Sequence, residues 1–419
     1  MLKELNLISK VLTITADNAT NMESLVKVLN ATLRTTYRQN LPVFEGEDGY
    51  IRCLAHIINL ISKDLMQALK AGAKEDSYEI LDKMDAKQNI ASLSSIMKVR
   101  TVVLHIKDSP QRRERWLGLC NNDQQKQFID YDIHTRWNST YLIIDSALRF
   151  SRELVQYTQS EELDDLTINQ GDWMQLEQVR NVLKKLDQMT KFLSSSSPQI
   201  ANSLAIYYQL SDLLDDISQR KKKYKNVPIP LAEAVKASIE KYQKYYSLMD
   251  RSLFYYIAAT LDPRSRAIWI ENYKQKSILD FIVKQIIEKL KVDNDVQNEE
   301  ENIPTPPSSD FSVNAMMLQS NKANRVLLSD VDRYYNSGVV SGDPNGGFKW
   351  VLSWWKDNAA VMPVMSKVAR RYLAIPAASV SAERMFNAGR DIMDIRRQLM
   401  CATTFCWLML FQDHYKHKN

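Results

Sequence analysis

Hydrophobic positions along this chain follow two rhythms, and the change between them divides it. Val11–Thr15 is a β-branched run of the kind that makes a short strand. Asp17 and Asn18–Asn21 follow with side chains suited to starting a helix, and Leu25, Val28, Leu29 and Leu33 then recur at helical spacing. A loop holding Pro42, Gly46 and Gly49 leads to a second strand at Tyr50–Leu54, which runs into a helix striped by Ile57, Ile61, Leu65 and Leu69. Strand, helix, strand, helix in that order predicts a parallel unit, because the first helix carries the chain back to run the same way.

Beyond residue ~75 the pattern is helical only. Apolar spacing predicts helices over Ile90–Ile106, Tyr141–Gln156, Trp173–Leu193, Ser203–Ile217, Leu231–Tyr246, Leu253–Thr260 and Ile278–Leu290. Breaks are expected at Ser194–Pro198, at Asn226–Pro230 and at Leu261–Pro263. An acidic run at Asn298–Asn302 with Pro304, Pro306 and Pro307 reads as an unstructured linker, and a last helical block starts near 325. The fold class is mainly α. Ten glycines in 419 residues agree with that reading, and no internal repeat stands out.

Composition narrows the function classes. Such a length exceeds one average core, so two or three domains are expected. No apolar run approaches the ~18 residues of a membrane span, and the start lacks a signal-peptide pattern, so a membrane partner is not expected. Four scattered cysteines give neither a disulfide framework nor a Cys/His zinc module. A glycine-rich phosphate loop is missing, which argues against a nucleotide cofactor. The net charge of +5 permits a nucleic-acid partner without requiring one.

Candidate chemistry comes from short motifs, each with an ordinary alternative. Asp17 ends a strand, so its carboxylate stands either at the ligand-binding edge of a parallel sheet or simply at a helix start. Cys53 and His56 lie at a strand-to-helix junction. His56 falls off the apolar stripe, so it is a surface histidine or one set near a phosphate, and two more zinc ligands are wanting. Arg136 and Trp137 precede a helix and read either as a clamp on an unpaired base or as a Trp plugging the bundle. Glu383 sits early in a helix with Arg390 on its side, where a solvated glutamate is the plain alternative. Basic clusters fall at Gln111–Trp116 and Arg220–Lys225, the second interrupted by Tyr224. Trp350, Trp354, Trp355, Phe386, Phe405, Trp407 and Phe411 crowd the last stretch, as a compact core or an apolar surface needing a partner.

Taken in order, the motifs form a signature. Thr15–Asn21, Arg52–His56, Thr135–Tyr141, Leu261–Arg264, Trp354–Lys356 and Ile375–Phe386 together resemble the hAT superfamily of DNA transposases, from about residue 10 to the end. The resemblance implies a ribonuclease-H-like α/β core interrupted by a large helical insertion. It divides the chain into a partial core over 1–72, an insertion over 73–290, a disordered linker over 291–324 and a dimerisation region over 325–419 that completes the core. It implies Asp17 and Glu383 as metal-binding acids for Mg²⁺, and Cys53, His56, Arg136 and Trp137 as residues at the DNA. Trp354, Trp355 and Phe386 fall in the implied dimer region. The implied partners are a second copy and DNA, and the implied setting is the nucleus.

One departure changes the functional expectation. The family's first acid stands on an opening strand well upstream of the second, and only about ten residues precede the Asp17 strand here. A BED zinc finger, which often leads such proteins, is likewise without a counterpart. The expectation is a truncated or domesticated copy that keeps dimerisation and DNA contact, takes up no metal in this form and lacks excision activity. The alternatives are an active enzyme whose upstream portion is missing from the sequence, and a helical protein-interaction scaffold that binds no DNA.

Overall fold

The computed structural model describes residues 10–36, 44–120 apart from 89 and 91, 137–194, 200–301, 330–342 and 347–393, with Glu4, Leu7 and most of 400–411. Strand β1 (Ile14–Ala16) leads through helix α1 (Thr20–Thr36) to β2 (Tyr50–Arg52), which turns into α2 (Leu54–Ala68). The strands pair in parallel with Ile14 opposite Tyr50 and Ala16 opposite Arg52. The predicted parallel unit is therefore present, with β1 starting three residues later and ending one later than its β-branched run suggested. Tyr50 locks it further: burial pushes its phenol up to about 12, so the neutral hydroxyl donates to the Asp17 carbonyl.

Among the described residues the remaining elements are helices: α3 (Lys74–Asp85), α4 (Ser95–Lys107), α5 (Pro110–Leu119), α6 (Trp137–Arg149), α7 (Ser151–Ser160), α8 (Gln170–Leu193), α9 (Ile200–Ser218) and α10 (Ile229–Arg251). There follow α11 (Leu253–Thr260), α12 (Lys276–Glu301), α13 (Asp330–Asn336), α14 (Gly347–Asp357), α15 (Pro363–Leu373) and α16 (Val380–Ile392). Caps explain several starts. Ser94 Oγ accepts from Met97 N–H, and Asn169 and Asp172 satisfy each other's backbone in a capping box. Helix α2 is the axis of the molecule, with Ile57, Ile58 and Ile61 fully buried against α10, α8 and α6.

Two expectations need correction. The single helix expected over Tyr141–Gln156 is two, because Phe150 leaves helical geometry and turns its ring edge-on to Trp116 at 5.9 Å, letting α6 and α7 both bury a face. The linker expected from 291 begins as helix, since α12 continues to Glu301; its acidic residues are good helix formers whatever their charge suggests. The remainder of that linker, 302–329, lies outside the described residues. The described helices share one hydrophobic core that runs from Ile51 to Ala378. Among the described residues, Val26, Leu33, Phe44 and Tyr50 form a separate small cluster between α1 and the strands.

The segment after α15 accounts for that continuity. Leu54 N–H donates to Ala377 O at 3.2 Å, Thr15 Oγ1 to Pro376 O at 2.9 Å, and Ile200 N–H to Ile375 O at 3.0 Å. The C-terminal part of the chain is thus laced to the strand pair and to the start of α9.

Candidate functional site

Four segments far apart in sequence meet around an open cleft of about 410 Å³. Cys53 and the beginning of α2, with His56 and Asn59, form one side; α6 contributes Trp137 and Asn138. The end of α8 adds Thr190 and Ser194, and α16 adds Glu383, Arg384 and Asn387. Helices α2 and α16 both start here, so their dipoles favour an anion. Arg384 is exposed and forms no ion pair among the described residues. Asn138 is oriented by Asp187 (3.3 Å), whose other oxygen holds Lys191 at 2.7 Å.

Cys53 is the hinge of the site. It is 1% exposed. Its N–H donates to Ala16 O at 2.8 Å, and its carbonyl accepts from Asn18 Nδ2 at 3.4 Å. Its sulfur accepts the Ser379 N–H at 3.4 Å, while Ser379 Oγ donates to Glu383 Oε1 at 2.8 Å. A run of contacts therefore joins the β1 end to the first turn of α16 through Cys53 and Ser379. So sealed a thiol is a structural link rather than a nucleophile.

The sequence-derived site residues fall as follows. Cys53, His56, Trp137 and Glu383 come together at the cleft. Asp17 does not line it; half-buried at the end of β1, it accepts the Ala19 N–H at 3.2 Å on Oδ1, the helix-starting role weighed above. Arg136 lies outside the described residues. Trp137 is only 5% exposed, so most of its ring packs into the core and only part of it reaches the cleft. His56 is half-buried, with no hydrogen-bond partner for its ring among the described residues. Arg384, Asn59, Asn138 and Asn387 went unremarked in the sequence. Their signal was spacing: Asn59 follows His56 by one helical turn, as Asn387 follows Glu383, and Arg384 and Asn138 each adjoin a named residue.

Mg²⁺, which the resemblance implies, needs several converging carboxylates. Asp17 and Glu383 are each engaged in a local hydrogen bond, and among the described residues no three His, Cys, Asp or Glu side chains gather around one point. The described residues do not fit a two-metal site.

The proposed dimer residues divide. Trp355 is 1% exposed, donates its indole N–H to Leu261 O at 2.9 Å and lies 4.9 Å from the rings of Tyr334 and Trp354. It is core and not available to a partner, a correction to the sequence reading. Trp354 is half-buried beside it. Phe386 is 72% exposed on α16, with Met385, Trp407 and Phe411 also open to solvent. Of the basic stretches, the first is largely spent internally: Arg115 pairs with Glu161 and Arg113 with the Lys107 carbonyl.

Residues 333–415 match the hAT family C-terminal dimerisation region, and residues 51–182 match the ZBED1 RNase-like helical domain. The chain is similar to a Talaromyces stipitatus protein named as a transcriptional regulator, 27% identical over 98% of this chain and 46% of the relative. It is similar to a Zea mays protein named as an AC transposase, 27% identical over 93% of this chain and 46% of that one. Zinc finger BED domain-containing protein RICESLEEPER 2 of Oryza sativa subsp. japonica is 24% identical over 95% of this chain and 55% of its own. The chain thus spans about half the length of the curated relatives it matches.

Proposed function

From the premise that this chain is a hAT-transposase-like protein carrying that family's dimerisation region, we propose that it is a self-associating DNA-binding protein of the nucleus. In this reading the cleft holds a DNA phosphate backbone beside an unpaired base, and these 419 residues do not cut DNA by themselves. The observation that carries it is the convergence of His56, Trp137, Glu383 and Arg384, drawn from separate parts of the chain, at the starts of two helices. Arg384, the helix N-termini and His56 offer donors to phosphate oxygens; the amides of Asn59, Asn138 and Asn387 suit phosphate or a base edge. Buried Trp137 offers a wall for such a base rather than an open stacking face.

Cleavage is not proposed because Asp17 and Glu383 are committed locally and no third carboxylate joins them among the described residues. Self-association is assigned to Phe386 and Met385 with Trp407 and Phe411, whose apolar area is otherwise left in water.

Fluorescence anisotropy against duplex DNA over a salt series tests the reading. Binding should weaken steeply with salt and drop about tenfold in Arg384→Gln, the cost of one charged hydrogen-bonding group. A slope near zero in log K against log salt would leave the interaction scaffold as the better account. Robust Mg²⁺-dependent nicking that vanishes in Glu383→Ala would overturn the absence of cleavage.

A further inference from the structure

The loop between α9 and α10 is a second cationic surface, away from the cleft. Arg220, Lys221, Lys223 and Lys225 are all exposed, and none has a carboxylate partner among the described residues. The acids at that helix end are partly spent: Asp216 pairs with Lys222 at 2.9 Å and Asp212 accepts from the Tyr273 hydroxyl at 2.8 Å, leaving Asp215.

Such a cluster would ordinarily spread apart in solvent; this one is held. Arg220 closes α9 with φ +52° where glycine is usual, its N–H donating to Ile217 O while Lys221 N–H reaches Asp216 O at 2.7 Å. Lys222 is left-handed as well, at φ +50°. Buried Tyr224 and Val227 anchor the loop from beneath. The ordered backbone therefore keeps four exposed like charges within a six-residue stretch of the loop, and a polyanion relieves their repulsion.

Position adds the second argument. Ile200, at the other end of α9, is bonded to the segment that enters the cleft through Val380. Nineteen residues of helix separate that end from the loop, roughly 28 Å at 1.5 Å per residue. Duplex DNA covers that distance in about eight base pairs at 3.4 Å each.

We propose that Arg220, Lys221, Lys223 and Lys225 form a second phosphate-backbone contact, engaging the same DNA about eight base pairs from the cleft. This rests on the reading of the cleft as a DNA site. An anionic lipid surface would also attract the cations, but among the described residues 219–229 Ile229 alone is an exposed large apolar side chain, and lipid affinity scales with inserted apolar area.

The test uses the full chain and a variant with R220Q, K221Q, K223Q and K225Q together, against duplexes of ~6 and ~24 base pairs over a salt series. The variant should keep its melting temperature, bind the short duplex within about twofold, and bind the long one at least ~10-fold more weakly with a log–log salt slope shallower by ~3–4. An unchanged slope on the long duplex overturns the proposal. So does an equal loss when Lys70 and Lys87, isolated lysines in the same left-handed conformation, are changed to Gln instead. If the unmodified chain ignores the short duplex yet binds the long one through the loop, the cleft reading fails and the loop contact stands as a separate DNA site. Binding to neither duplex overturns both. A variant that loses only phosphatidylserine vesicles, with DNA binding intact, assigns the loop to lipid and overturns the proposal.

Discussion

Ser379 spans the site with one residue: its N–H meets the Cys53 sulfur and its hydroxyl meets Glu383. That link was illegible in the sequence, because it depends on 375–377 bonding to β1 and to the starts of α2 and α9, long-range contacts with no local signal. His105 makes another such contact. It is 7% exposed, its Nδ1 lies 3.0 Å from the Tyr157 hydroxyl, and burial, aided by nearby Arg112, pushes it down to about 4. The unfolded chain protonates near the ordinary 6.5 while the folded one resists. Stability from this group is therefore intact above pH 6.5 and is lost as pH falls toward 4. Thermal melts should show the full chain losing stability across that window more steeply than His105→Gln; parallel curves would contradict it. Residue chemistry was legible where it is local, as at His56 off its apolar stripe. It was not legible at Asp17, whose two roles share one sequence and differ only in what the carboxylate meets.

Helices separate packing from association. Trp355 on α14 and Phe386 on α16 looked alike in sequence as aromatics in one region; the fold encloses the first and exposes the second. Trp355→Ala should cost ~3–5 kcal/mol in denaturant unfolding by leaving a cavity, while Phe386→Ala costs less than ~0.5 kcal/mol. Light scattering should show the reverse order, with Phe386→Ala weakening self-association at least ~10-fold, as expected for an apolar anchor at an interface. If Phe386→Ala leaves the mass unchanged, the interface lies elsewhere. Gly389 supports the arrangement: a Cβ there would stand 2.9 Å from the Phe405 ring, so its absence lets 403–405 pack onto α16. Periodicity located the long helices well, because their burial is one-sided. It missed the turn at Phe150, where neither proline nor glycine marks the break.

For the whole molecule, length led to an expectation of two or three domains, and the described helices share one continuous core. Ile375, Pro376 and Ala377 bond to α9, β1 and α2, so the C-terminal part completes the fold as well as carrying the dimerisation region. A chain cut after Asn336 should lose cooperative unfolding and expose apolar surface, rather than yield a stable monomer. A sharp, near-native melting transition in that fragment would contradict this. The most direct test of the central claim is photocrosslinking of the full chain to duplex DNA carrying one unpaired iodouracil, followed by peptide mapping. The account predicts adducts on the peptides holding His56, Trp137 and Arg384. Adducts confined to other surfaces, with those peptides unmodified, would contradict it.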